Sequence, residues 1–142
     1  MKHLLQMLCK EGTDWDTEVT GDGLHVWNEW LTDLPKLERL TVARCYKPQR
    51  FEIVQRQIHN FCDASERGYG VVSYLHQVDE GVNIHCSFLV ARSRVTPLKK
   101  VTIPRMELTA ATMAVRVNKM LEDELDDKVH HVVFWTDSTA VL

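Results

Sequence analysis

The feature that most constrains this chain is a change of period in its apolar residues. Beyond Pro48 they recur at every second position through three runs. They then take helical spacing from Thr102 to about Leu125, and return to an extended run from His131 to Thr136. Short turn signals between the first three runs dictate an antiparallel meander, and the helix joins the third strand to the fourth. Three strands, a helix and a strand make an α/β unit with a mixed sheet and helices on its faces.

The runs differ in clarity. Ile53–Cys62 reads as a strand although polar residues interrupt it. Gly68-Tyr69-Gly70 reads as a turn, Val71–Leu75 as a second strand and Asp79-Glu80-Gly81 as a hairpin signal. Val82, Ile84, Cys86, Phe88 and Val90 alternate through the third strand. In the helix, Pro104 suits the first position and Glu107 the positive N-terminal end. Met106, Ala110, Met113, Val117 and Leu121 form one stripe, while Ala111 and Ala114 allow close approach to a sheet. Asp137-Ser138-Thr139 reads as the opening of a further helix with a good N-cap.

Residues 1–50 form a different region, a mostly helical connection segment ahead of the unit at 51–142. Residues 1–9 carry a short helical pattern that Glu11-Gly12 ends, and the stretch from Thr13 to Gly23 is polar and turn-rich. Leu24, Trp27, Leu31 and Leu34 then recur at helical spacing until Pro35, with Trp30 widening the stripe. Such a stripe is a packing face in search of a partner, because the segment is too short to fold alone.

The 142 residues, 44% of them hydrophobic, suffice for one domain with a real core. A net charge of −3 rules out a global basic field. The distribution is uneven: Arg92 to Arg105 contains five cations and no acid, and Glu122 to Asp127 contains five acids and no cation. The cysteines (Cys9, Cys45, Cys62, Cys86) have neither zinc-site spacing nor a C-x-x-C, and Cys62 and Cys86 read as buried thiols. No secretory signal or membrane span is legible, so an intracellular setting, cytoplasmic or nuclear, is expected.

Three carboxylates fall where metal chemistry needs them. Asp63 follows the first extended run, Glu107 opens the long helix and Asp137 ends the last run. Singly, each has an ordinary explanation as a cap, a turn residue or a response to the helix dipole. Together, strand-end, helix-start and strand-end acids can converge at one sheet edge and hold two divalent ions about 4 Å apart, as phosphodiester hydrolysis requires. Hard oxygen donors select Mg²⁺ or Mn²⁺ over zinc.

Four ordered motifs carry a resemblance: Phe-Cys-Asp-Ala-Ser-Glu-Arg-Gly-Tyr-Gly (61–70), Ser-Arg-Val-Thr-Pro-Leu-Lys (93–99), Ile-Pro-Arg-Met-Glu-Leu-Thr-Ala-Ala (103–111) and Phe-Trp-Thr-Asp-Ser (134–138). With them the chain resembles the ribonuclease H-like domain of Pao/BEL retrotransposon polyproteins, and the region from Trp27 to Cys45 is similar to the connection after their reverse transcriptase. The resemblance implies a five-stranded mixed sheet of order 3-2-1-4-5. It also implies Asp63, Glu107 and Asp137 as the first three metal-binding catalytic carboxylates, Asp63 bridging two Mg²⁺ (or Mn²⁺) ions. The implied substrate is an RNA–DNA hybrid, and the implied neighbour is a reverse transcriptase domain upstream in the parent polyprotein. Ser65 and Arg105 are candidates for sugar or phosphate contacts.

The family pattern continues with a fifth strand, further helices, a histidine loop and a fourth acid that this sequence does not reach. The domain at 51–142 is therefore expected to be incomplete, and the chain alone to be marginally stable and to cleave little. A catalytically inactive remnant, or a domesticated domain that binds nucleic acid or protein, is the alternative. Aspartic peptidase chemistry is rejected because Asp63-Ala64-Ser65 and Asp137-Ser138-Thr139 lack the glycine of an Asp-Thr/Ser-Gly turn. An integrase-type site is rejected on order, since its Glu follows both Asp residues.

Overall fold

The first turn signal to take effect is Gly12. It closes an opening helix, α1 (Lys2–Glu11), in the left-handed conformation at φ 71°, with its N–H on the last carbonyls. The computed structural model describes residues 1–47, 52–139 and 141, so the boundary expected at 50/51 lies outside the described residues. The described chain forms two compact units: Met1–Val42 with Pro97–Lys99, and Ala43–Thr96 with Lys100–Leu142.

In the first unit α2 (Gly21–Asp33) runs into a 3₁₀ turn at Leu34–Arg39. Gly23 is buried where a Cβ would meet Val19 at 3.0 Å and Leu4 at 3.5 Å, so α1 covers only the start of α2. The Leu24, Trp27, Leu31 and Leu34 stripe remains 38–43% exposed.

The second unit contains β1 (Ile53–Ala64), β2 (Gly68–Asp79), β3 (Ile84–Val95), α3 (Ile103–Glu124) and β4 (His131–Trp135). They form a mixed α/β fold whose sheet has the order β3-β2-β1-β4, with β1 antiparallel to β2 and parallel to β4. This is the order expected of a ribonuclease H-like sheet. Its core lies between the sheet and α3, where Ile58, Cys62, Val71 and Leu75 meet Ala110, Ala114, Val117 and Leu121. Fully burying a side chain such as Ile58 or Leu75 contributes about 1.5–3 kcal/mol. The two alanines, both fully buried, let the helix backbone come close to the strands. A short polar relay sits inside this core: Ser73 Oγ donates to Asn60 Oδ1 at 2.6 Å, and Asn60 Nδ2 donates to Asn118 Oδ1 at 3.0 Å. It ties β2, β1 and α3 together.

Several expectations are corrected. Gly68-Tyr69-Gly70 is not a turn but the start of β2, and the chain reverses at Ser65–Arg67 instead, where Ser65 N–H donates to Gly68 O at 2.8 Å. The third strand starts at Ile84, because Val82 occupies the hairpin turn at φ 61°. A register shift between Ser73 and Tyr74 then leaves Ile84, Cys86 and Phe88 exposed, so Cys86 is not a buried thiol, whereas Cys62 is. Pro104 is the second residue of α3 and Glu107 the fifth, beyond the first turn. Residues 136–138 are irregular, and Val141 N–H bonds to Ser138 O at 3.2 Å in a turn where a helix opening was expected.

The sheet face opposite α3 carries a row of rings. Phe88, Tyr74, Phe61 and Trp135 follow one another across all four strands at centroid distances of 6.0, 6.1 and 5.8 Å, with Phe61 and Trp135 stacked at 9°. Tyr74 and Phe88 are direct cross-strand partners, as are Phe61 and Trp135, while Phe61 and Tyr74 meet on the diagonal, since Phe61 lies opposite Val72 and Tyr74 opposite His59.

Candidate active site

Because β1 and β4 run parallel, their C-terminal ends open onto one crevice, the usual ligand position in such sheets. Asp63 is the penultimate residue of β1, and Asp137 lies two residues beyond β4. Continuing the Phe61–Trp135 pairing by two residues sets these two acids level with each other. Glu107 reaches the same point from α3. One oxygen from each of the three carboxylates lies within 4.8 Å of the others.

Asp63 and Asp137 are exposed, and Glu107 is 8% exposed. Burial, followed by the negative charges of Asp63 and Asp137, holds the Glu107 carboxyl above its usual range, while the Ala64 N–H pulls the other way. Its Oε2 is buried without a hydrogen-bond partner among the described residues. An orphaned carboxylate oxygen beside two further carboxylates is a donor set that fits a divalent, oxygen-seeking cation. The same field acts on Cys62 below the acids. Burial first, then Glu107, Asp63 and Asp137, push its thiol up against a Thr136 hydrogen bond, so it stays protonated and is no nucleophile.

Asp63 and Asp137 open onto a cleft of about 760 Å³ that Phe61, Trp135, Gly68 and Gly70 also line. Ser65 sits in the β1–β2 turn, where its Oγ donates to Gly68 O at 3.2 Å and accepts from Arg67 N–H at 3.3 Å. Arg105 is not part of the acid cluster and lines a second groove together with Arg92, Arg94 and Arg116. Sequence reasoning did not single out Phe61 and Trp135 as cleft residues. Their signal was the two-residue spacing to Asp63 and Asp137, which on β1 puts Phe61 and Asp63 on one side of the strand.

The family model described as Pao retrotransposon-like RNaseH-like domain matches residues 1–138. No curated protein and no solved structure matches the chain.

Proposed function

The chain belongs to the Pao retrotransposon-like RNaseH-like domain family, and on that footing we propose that it is a metal-dependent nuclease domain cutting the RNA strand of an RNA–DNA hybrid. The observation that carries the reading is the convergence of Asp63, Glu107 and Asp137 from three separate elements to within 4.8 Å. No packing need brings three acids together, and like charges that close repel.

In this reading the three carboxylates would hold Mg²⁺ or Mn²⁺. When bound, the cation supplies Lewis-acid activation of water and neutralisation of charge at the scissile phosphate. The chain's own groups prepare that step. Glu107 holds its proton more tightly than an ordinary glutamate, and a bound cation would favour its ionised form. Phe61 and Trp135 line the cleft with stacked rings. Ser65 keeps one acceptor lone pair free of its turn bonds and can take a sugar hydroxyl, consistent with recognition of a hybrid by shape and 2′-hydroxyls.

The test is cleavage of an end-labelled RNA–DNA hybrid by the 142-residue chain, alongside Mn²⁺ titration calorimetry. Weak, Mg²⁺-dependent cutting of the RNA strand is expected, lost in Asp63→Asn and kept in Asp14→Asn. Outer partners of metal ligands cost about 10–100-fold in metal affinity, so Asp63→Asn should cost at least that. Equal Mn²⁺ affinity in wild type and Asp63→Asn would overturn the site. Hybrid binding without any cleavage would favour a binding module.

A further inference from the structure

A second groove, of about 390 Å³, lies between α3 and the edge strand β3, and four arginines line it. Arg105, Thr109, Thr112 and Arg116 are spaced four, three and four residues apart, which sets them along one stripe of α3. Arg92 and Arg94 alternate on β3, opposite Val71 and Tyr69 of β2. Val71 is buried under α3, so this is the helix side of the sheet. Two cations from a strand and two from a helix thus face one hollow, all exposed.

Among the described residues none of these four makes an ion pair. Elsewhere cations find acids: Arg56 and Lys47 both meet Asp127, and Lys36 meets Asp33. The Arg92 guanidinium donates to Met120 Sδ at 2.9 Å, which neutralises nothing. Apart from Glu107, which turns into the acid cluster, the acids of α3 begin only at Glu122. In a chain of net charge −3, four uncompensated cations in one groove concentrate the positive field locally.

We propose that this groove is a phosphate-backbone anchor, holding a strand of the nucleic-acid substrate away from the acid cluster. The choice of nucleic acid as the polyanion rests on the nuclease reading above; the groove itself does not. Its position fits. Arg105 precedes Glu107 by two residues on α3, and Ala64, Tyr69 and Arg94 stand in one row across β1, β2 and β3. Two strand spacings are roughly 10 Å, about three nucleotides of rise along a duplex strand. A strand leaving the acid cluster reaches the arginines within that distance. The groove contributes affinity and register with no sequence preference.

The test is fluorescence anisotropy of a labelled RNA–DNA hybrid in EDTA, where nothing is cut, across a KCl series. Arg94→Gln/Arg116→Gln removes two exposed charges and is compared with Lys10→Gln/Lys36→Gln. The groove variant should lower affinity on the order of tenfold and reduce the slope of log affinity against log salt by about 2. Its circular dichroism and Mn²⁺ affinity should match wild type. An unchanged slope in the groove variant, or the same change in the lysine control, would overturn the anchor. No salt-sensitive hybrid binding by the wild type would also overturn it. Cleavage retained with an unchanged slope sinks the anchor and leaves the nuclease reading standing. A lowered slope in a protein that never cleaves does the reverse.

Discussion

The indole N–H of Trp135 donates to Nδ1 of His59 at 3.0 Å. That bond crosses from β4 to β1 two residues before Asp137 and four before Asp63, so it fixes the relative position of the two strand ends that carry the acids. It also fixes the imidazole: Nδ1 accepts, and Nε2, 3.1 Å from Gln57 Oε1, carries the proton. Burial, then the neighbouring His76, lowers the His59 pKa, which keeps the ring neutral.

Trp135→Phe should keep the stacking on Phe61 and lose the bond, at about 0.5–1.5 kcal/mol. The pH dependence follows from the sign of the shift. A histidine whose folded pKa is depressed contributes stability above the unfolded value, about 6.5, and loses it as pH falls through the folded value. Urea unfolding should therefore show the Trp135→Phe deficit at pH 8 and a smaller one at pH 5. An equal deficit at both would remove His59 from the account.

Gly68 and Gly70 mark the closest approach of β2 to β3. A Cβ at Gly68 would lie 2.7 Å from Arg94 O, and one at Gly70 3.1 Å from Arg92 O. Both neighbours are backbone atoms, so relief requires moving the strand. Gly68→Ala should cost about 1–3 kcal/mol and Gly70→Ala less, as read by denaturant midpoint. The reverse ranking would contradict the geometry.

These glycines show where the sequence stops being legible. A Gly-x-Gly beside Ser-Glu-Arg has turn chemistry, and only the facing carbonyls of β3, distant in sequence, reveal a strand that needs the space. Strand periodicity likewise identified an apolar face on β3, but not that the bulge after Ser73 would leave Phe88 exposed. The acid cluster was more legible, because each acid sits at the end of an element and a parallel strand pair brings such ends together. Arg116 was not: it joins Arg92 and Arg94 only once helix and sheet are packed.

Val82 is a non-glycine residue at φ 61°, 76% exposed, in the turn where Asp79 Oδ1 accepts from Asn83 N–H at 2.8 Å. A β-branched side chain in the left-handed region costs about 1–2 kcal/mol. The glycine that sequence rules place in such a turn stands one residue earlier, at Gly81. Val82→Gly should relieve the strain and raise stability by about 1 kcal/mol, less the entropy of the freer chain. A lower melting temperature in Val82→Gly would show that the turn tolerates valine.

Glu107 and Asp127 make opposite contributions to acid stability. The Lys47 hydrogen bond, helped by the charges of Arg56 and Lys47, outweighs the opposing effect of burial and holds Asp127 below the usual carboxylate range. Its contribution is present above the unfolded pKa and lost as pH falls through the folded one. Glu107 is raised, chiefly by burial and then by Asp63 and Asp137, so ionising it at neutral pH opposes folding. Its favourable contribution is complete below the unfolded value and lost as pH rises through the folded value. In EDTA at pH 7, Glu107→Gln should therefore melt higher than wild type, and Asp127→Asn lower. Toward pH 4 the Glu107→Gln difference should shrink, whereas the Asp127→Asn difference should persist there and fade only below the unfolded aspartate value of about 3.9. Added Mg²⁺ should raise the melting temperature of wild type but not of Glu107→Gln, because a cation binding only the folded state stabilises it by mass action. Glu107→Gln melting below wild type in EDTA at pH 7 would mean that the carboxylate is satisfied without metal, and the strain assigned to the acid cluster would have to be withdrawn.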